Sequence, residues 1–291
     1  MQDPPKVTII CLCYNHEKFV ASTLQSVINQ TYKNIQLIVV DDFSQDNSVG
    51  VINEWIKGRP NIVFIKNKLN MGNTKSFNKA LIYAMGEYII DLAADDVLLP
   101  YCVAEQIYAF KTSKLNNLAM VYSNISITDE HLNIVAEYYK KKDCPQSGDI
   151  YKMVIGRTVE LCSVGSMIKK SALITLGGYS TDLAYEDLDL WVRLSRRYNV
   201  QYIPKILVLK RELPNSLSSF FFKKGKHSKK LHQSSLKILK KIFDLNRSKV
   251  EYRFMLKRIK FEALKYLKAE EFALFFKLFP LAFRAILKSI F

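Results

Sequence analysis

Ile35-Gln36-Leu37-Ile38-Val39-Val40 runs directly into Asp41-Asp42. A nearly unbroken apolar run reads as a strand buried on both faces, the habit of parallel sheets, and the carboxylates begin where the strand stops. The same figure recurs at Glu87-Tyr88-Ile89-Ile90-Asp91-Leu92, which enters Ala93-Ala94-Asp95-Asp96. In an open α/β sheet, ligands sit outside the carboxyl ends of the parallel strands, so these two junctions line one crevice when their strands are neighbours. A third acidic cluster, Glu186-Asp187, opens a stretch of helical periodicity.

Outward from these junctions, Val7 to Leu12 reads as a strand, and Phe19 to Asn29 as a helix with Phe19, Val20, Leu24, Val27 and Ile28 at helical spacing. Asp46 to Lys57 is a second helix, Ile62 to Ile65 a third strand, and Asn73 to Ala84 a helix entered through the Asn70-Met71-Gly72 turn. Leu99 to Lys111 is expected to be helical, Ala119 to Ser123 a strand, and Tyr185 to Tyr198 a helix. A hairpin is expected around Asn133, and a Lys-rich connection at Lys140 to Gly148. Alternating strands and helices predict βαβ units: an α/β fold with a mostly parallel central sheet flanked by helices.

The first strand leads into Cys13-Tyr14-Asn15-His16-Glu17, not into G-x-G-x-x-G, which disfavours a dinucleotide domain. Neither a P-loop nor a G-x-S-x-G elbow is present. A crevice furnished with carboxylates and Tyr14 suits a base, a ribose and a metal-bridged diphosphate. Asp42 could accept from a base N–H or ribose hydroxyls, although a turn or helix cap explains Asp41-Asp42-Phe43-Ser44 equally well. Adjacent half-buried anions such as Asp95-Asp96 repel unless a cation joins them, and a hard divalent ion, Mg or Mn, is the natural one; a cap on the helix after Pro100 is the plainer alternative. Glu186, Asp187 and Asp189 are also where a helix dipole favours acids. Five cysteines, an odd number without a recognisable signal peptide, lead us to expect buried thiols in a reducing cytoplasm. His16, His131, His227 and His232 lack ligand spacing and are expected to be surface or packing residues.

Taken in order, Val7-Thr8-Ile9-Ile10-Cys11-Leu12-Cys13-Tyr14-Asn15, Leu24-Gln25-Ser26-Val27 with Gln30-Thr31-Tyr32, Val40-Asp41-Asp42-Phe43-Ser44, Asn70-Met71-Gly72, Ala94-Asp95-Asp96, Gly177-Gly178-Tyr179 and Glu186-Asp187 resemble the family 2 glycosyltransferases of GT-A fold over about residues 5 to 220. The resemblance implies an inverting, metal-dependent transferase that moves a sugar from a nucleotide-diphosphate donor, expected to be UDP-linked, to a glycan or lipid-linked glycan in surface polysaccharide synthesis. It implies Tyr14 packing near the base, Asp42 contacting the base, Asp95 on the ribose or nucleotide side, and Asp96 anchoring a divalent metal. Asp187 matches the catalytic base, with Glu186 beside it and Trp191 shaping the sugar or acceptor pocket. The chain departs from the family where a His before Ser-x-Ser is common. Here Lys210 and Leu213 occupy the aligned positions ahead of Ser216-Leu217-Ser218, so Arg211 or Lys210 would supply the charge. Phe77 stands where an Arg is frequent, leaving Lys75 as the phosphate contact.

Net charge is +16, but residues 223–291 hold 19 Lys and Arg against 5 Asp and Glu, leaving the first 222 residues nearly neutral. The expected division is a catalytic domain over 1–222 and a basic helical extension over 223–291. From Tyr252 to Leu267 apolar residues recur at helical steps while Arg253, Lys257, Lys260 and Lys268 fall elsewhere. Such a helix either lies on an anionic membrane surface, deepened by the apolar stretch Phe272 to Phe283, or packs on the rest of the chain with a solvated Lys face. Lys277 and Pro280 interrupt that stretch and argue against a span. The expected location is cytoplasmic and peripheral at the inner face of the cell membrane, with no nucleic-acid partner. The competing class is a non-catalytic basic scaffold, binding membrane or nucleic acid, whose nucleotide crevice is vestigial.

Overall fold

β1 (Val7–Cys13) is buried along its whole length, between two parallel neighbours. They are β2 (Ile35–Asp41), with Val7 opposite Ile35 and Cys13 opposite Asp41, and β4 (Tyr88–Ala93), with Val7 opposite Tyr88 and Leu12 opposite Ala93. β3 (Val63–Lys66) continues the parallel set beyond β2. Helices α1 (Val20–Ile28), α2 (Ser48–Ile56) and α3 (Asn73–Leu81) make the crossovers. Gly86 permits β4 to start against β1, because a Cβ there would lie 2.4 Å from the Thr8 nitrogen. The computed structural model describes residues 3–140, 143, 145–158, 161–213 and 225–291, with the backbone alone for Lys226 and His227.

Beyond β4 the sheet becomes mixed. β5 (Val97–Leu98), α4 (Cys102–Thr112), β6 (Leu118–Thr128) and β7 (Ile134–Glu137) precede α5 (Tyr151–Gly156), β8 (Met167–Lys169) and α6 (Lys170–Thr175). After α7 (Glu186–Ser195) comes the long strand β9 (Asn199–Arg211). The order across the sheet is β3-β2-β1-β4-β8-β6-β9-β5, with β7 beside β6. β8 lies antiparallel to β4 and β6, and β5 antiparallel to β9, whereas β6 and β9 are parallel. The parallel expectation therefore holds for the first four strands named and gives way to mixed pairing after them. The hairpin expected near Asn133 is the β6–β7 pair.

The chain divides into two units, Met1–Gly148 with Cys162–Tyr179 and Tyr198–Glu212, and Asp149–Leu161 with Ser180–Arg197 and Leu213–Phe291. The first holds the whole sheet. The second holds α5, α7 and three long helices, α8 (Lys226–Leu245), α9 (Lys249–Lys268) and α10 (Phe272–Ile290). A single cut at 222 falls outside the described residues and does not reproduce this division, because α5 and α7 pack with the terminal helices.

α9 begins with an N-cap in which Ser248 Oγ accepts from the Glu251 N–H at 3.3 Å. Its Tyr252, Met255, Ile259 and Tyr266 are buried, while Arg253, Lys257, Lys260 and Lys268 are exposed. Arg258 caps α5, donating from Nη2 to the Val154 carbonyl at 2.7 Å and from Nε to Ile155 at 3.2 Å. The amphipathic stripe expected from Tyr252 to Leu267 thus serves mainly packing. No helix among the described residues is long and apolar enough to cross a membrane.

Candidate active site

Three neighbouring strand ends bring the acidic junctions together. Cys13 lies opposite Asp41 and the Asp42 N–H donates to the Cys13 carbonyl at 2.8 Å, so the loops that carry Tyr14 and Phe43 leave the sheet from neighbouring strand ends. Ala94 N–H donates to Leu12 on the other side at 2.9 Å, placing Asp95-Asp96 at the same edge. The first two loops are laced together: Asn15 N–H donates to Ser44 Oγ at 2.9 Å, His16 N–H to Ser48 Oγ at 2.9 Å, and Glu17 N–H to Asp46 Oδ2 at 2.9 Å.

Asp41 and Asp42 differ sharply in their surroundings. Asp42 Oδ1 accepts from Asn67 Nδ2 (2.8 Å), Met71 N (2.9 Å) and Ser76 Oγ (2.8 Å), and Oδ2 accepts from Gly72 N at 2.8 Å. These bonds fasten the Asn70-Met71-Gly72 turn, where Gly72 has φ of 83°, to the strand end. Asp41 Oδ2 accepts from Ser44 N at 3.0 Å, while its buried Oδ1 has no protein partner. The half-exposed rings of Tyr14 and Phe43 stand at the mouth, and Phe43 holds the left-handed φ of 67°.

The second acidic loop is positioned from two directions. From α1, Thr23 Oγ1 donates to the Ala94 carbonyl at 2.9 Å, Ser26 Oγ accepts from Leu98 N at 3.2 Å, and Gln30 Nε2 donates to the Leu99 carbonyl at 2.8 Å. From β9, Arg211 N–H donates to Asp96 Oδ1 at 3.1 Å, its Nη1 donates to the Asp95 carbonyl, its Nη2 to Ser22 Oγ at 3.3 Å, and its Nε to the Glu130 carbonyl at 3.1 Å. The guanidinium lies over the Phe19 ring, 5.0 Å from its centroid. Arg211 is buried and committed to these internal partners. Lys75 is exposed in the first turn of α3, and Phe77 is buried against Tyr179 with ring centroids 4.8 Å apart.

Burial first, and the Asp95 carboxylate second, push the Asp96 carboxyl well above the usual carboxylate range, against the pull of Lys210 and Arg211. A cation at this pair would relieve that cost. Among the described residues no group of three or more His, Cys, Asp and Glu could hold a metal. Two adjacent hard carboxylates fit a divalent ion that completes its coordination with substrate phosphate oxygens.

In the second unit, Glu186 and Asp187 occupy the first turn of α7 and are half-buried. Asp189, two residues further on in the same turn, is fully buried and accepts from Ser180 Oγ at 2.6 Å, from Arg193 Nε at 2.7 Å and from Lys241 Nζ. Trp191, expected to shape a sugar or acceptor pocket, is 4% exposed and offers almost no surface to a ligand.

Residues 8–172 match the family described as Glycosyl transferase family 2. The chain belongs to this family. An uncharacterised glycosyltransferase of Methanocaldococcus jannaschii is 30% identical over 217 residues, 73% of this chain and 72% of the relative. The UDP-Glc:alpha-D-GlcNAc-diphosphoundecaprenol beta-1,3-glucosyltransferase WfgD of Escherichia coli is 28% identical over 198 residues, 68% of this chain and 72% of the relative. Among solved structures, the mannosyltransferase PcManGT of Pyrobaculum calidifontis, in complex with GDP-Man and Mn2+, superposes with a TM-score of 0.63 over 92% of this chain and 73% of its own, at 16% identity. The fold of this family 2 transferase is therefore GT-A.

Sequence reasoning passed over three features of the transferase. His16 Nε2 stands 3.8 Å from Asp95 Oδ2, with Nδ1 buried and without a protein partner. Its place two residues beyond Tyr14 in the same strand-end loop was the available signal. His232 is buried against Tyr266, as a packing role requires, and the His227 side chain and Ser216-Leu217-Ser218 lie outside the described residues. Asp41 and Phe43 were visible in the sequence, but nothing in it distinguished Asp41 from Asp42 or marked Phe43 as a strained, exposed ring. Of the cysteines, Cys11, Cys13, Cys102 and Cys162 are buried, and burial pushes the Cys13 thiol up to about 11.

Proposed function

We propose that this family 2 transferase moves a sugar, with inversion, from a UDP-linked donor to a glycan or lipid-linked glycan acceptor in surface polysaccharide synthesis. The observation that carries the reading is the convergence of Tyr14, Phe43, Asp41 and Asp95-Asp96 on one edge of three neighbouring parallel strands. Tyr14 and Phe43 offer faces for the base, and the unpartnered Asp41 oxygen suits a base N–H better than the fully engaged Asp42 does. Asp42 then acts by shaping the 70–72 turn that leads to Lys75, the proposed phosphate contact. Asp95 takes the ribose side. Asp96, with Asp95 beside it, would hold Mg or Mn, and such an ion supplies charge neutralisation to the departing diphosphate. Arg211 is a positioning residue that holds this acidic loop.

Asp187 is the proposed base and Glu186 its neighbour on the acceptor side. The acceptor oxygen forms its bond to the anomeric carbon, its proton passes to Asp187, and the carbon–oxygen bond to the diphosphate breaks with the electron pair leaving on the phosphate oxygen. The family's membership of glycan synthesis, the lipid-linked acceptor in the name of WfgD and the Mn2+ beside GDP-Man in PcManGT support these assignments. We place the enzyme in the cytoplasm, peripheral at the inner face of the membrane. The deciding experiment is Asp187→Asn assayed by released UDP. A loss of about 10²- to 10⁴-fold in kcat with UDP binding intact supports the reading. Retained turnover in a folded variant removes Asp187 as base, and failure of Mn and UDP to raise the melting temperature of the unaltered chain favours the vestigial scaffold instead.

A further inference from the structure

α10 carries two apolar faces, and only one of them is covered. At roughly 100° per residue, Leu274, Leu278, Leu281 and Ala285 fall on one side and are buried within the helical unit. Phe272, Phe276, Phe279, Phe283, Leu287 and Ile290 fall on the opposite side within a stripe about 100° wide, and all are exposed. Phe276 is 64% exposed, Phe279 55% and Phe283 62%. Together the phenylalanines alone leave roughly 400 Å² of ring surface in water, at the scale where an exposed patch on a soluble protein marks an interaction site.

Charge identifies the occupant. Lys277, Arg284 and Lys288 run along one flank of the stripe, between the exposed and buried faces, and all three are exposed. The helix has no Asp or Glu. A second copy seated symmetrically on this face would bring cations against cations with no carboxylate on α10 to answer them. Pro280 and the three cations also exclude burial of the helix across a hydrocarbon core. We propose that the outer face of α10 docks in the plane of an anionic lipid bilayer, with the phenylalanines in the acyl boundary and the basic flank at the headgroups. This names the surface behind the peripheral location proposed above. It moves that surface from α9, whose apolar stripe is buried, to α10.

The test is flotation of the full chain with vesicles of phosphatidylcholine alone or mixed with phosphatidylglycerol, at physiological salt. The expected result is recovery with the anionic vesicles and not with the neutral ones. F276Q/F279Q/F283Q should lower the bound-to-free ratio at least about tenfold, and K277Q/R284Q/K288Q by about tenfold or more. Gln keeps helix propensity, and UDP release in the absence of vesicles should be unchanged in both variants. Wild-type chain left unbound by anionic vesicles overturns the proposal, as does flotation indifferent to the three Phe changes. Light scattering that shows a dimer dissolved by the Phe changes, without flotation, assigns the face to a second copy and overturns it too. Flotation as expected from a chain that never releases UDP leaves this surface standing and sinks the transferase chemistry alone.

Discussion

The backbone N–H of Arg211 donates to Asp96 Oδ1 at 3.1 Å, joining the end of β9 to a carboxylate 115 residues earlier in the chain. The side chain of the same arginine holds the Asp95 carbonyl, so one residue fixes both halves of the acidic pair. Arg211→Lys keeps the charge and loses the planar fork. We expect about 2 kcal/mol of destabilisation in urea titration, together with a fall in kcat that exceeds any change in UDP affinity. A variant with unaltered kcat would show that the clamp is dispensable.

Asp96→Asn separates stability from function. Burial and Asp95 make the Asp96 charge costly in the free protein, and Asn still presents an Oδ1 acceptor to Arg211 N–H. Melting in the presence of a chelator should rise by about 1 kcal/mol in stability, while Mn-dependent stabilisation by UDP and sugar transfer should both disappear. Persistence of the Mn effect in this variant would remove Asp96 as the anchor.

Phe43→Gly should also raise stability. A non-glycine residue at φ of 67° carries about 1–2 kcal/mol of strain, and the half-exposed ring recovers little of it by burial. The same change removes a face offered to the base, so calorimetry should report weaker UDP binding by a more stable protein. Equal affinity would leave the ring without a ligand role.

Glu251 ties Arg196 to the start of α9, with Arg196 Nη1 donating to Oε1 at 2.7 Å. Burial alone would raise its carboxyl, but the Arg247 N–H and Arg196 outweigh that and hold it below its ordinary 4.5. A carboxyl depressed by folding stabilises above its unfolded value and loses that contribution as pH falls through the folded one. Glu251→Gln should therefore cost about 1–2 kcal/mol at neutral pH and flatten the stability curve between about pH 4.5 and the acid transition. Parallel acid limbs for the two proteins would contradict this.

The first half of the sheet was legible because each strand from β1 to β4 is a short apolar run closed by a turn or an acid, and parallel burial leaves no other pattern. β9 was not. Its Pro204, Lys205, Lys210 and Arg211 break any alternation, and its burial is set by β5 and β6 on either side rather than by its own periodicity. Asp187 stood out beside Glu186, yet Asp189 two residues on is the one consumed by Arg193 and Lys241, a distinction that Lys241 makes from another helix.

By itself the sequence determined where strands stop, which carboxylates follow them, and that the basic tail would form helices with an apolar side. Only the tertiary structure decided which of those carboxylates keep a free oxygen, that Arg211 is spent on holding the acidic loop, and that α9 is covered while one side of α10 is bare. The reason is physical. Periodicity and turn chemistry act within a few residues, whereas burial and hydrogen-bond satisfaction are settled by whichever distant segment arrives beside them.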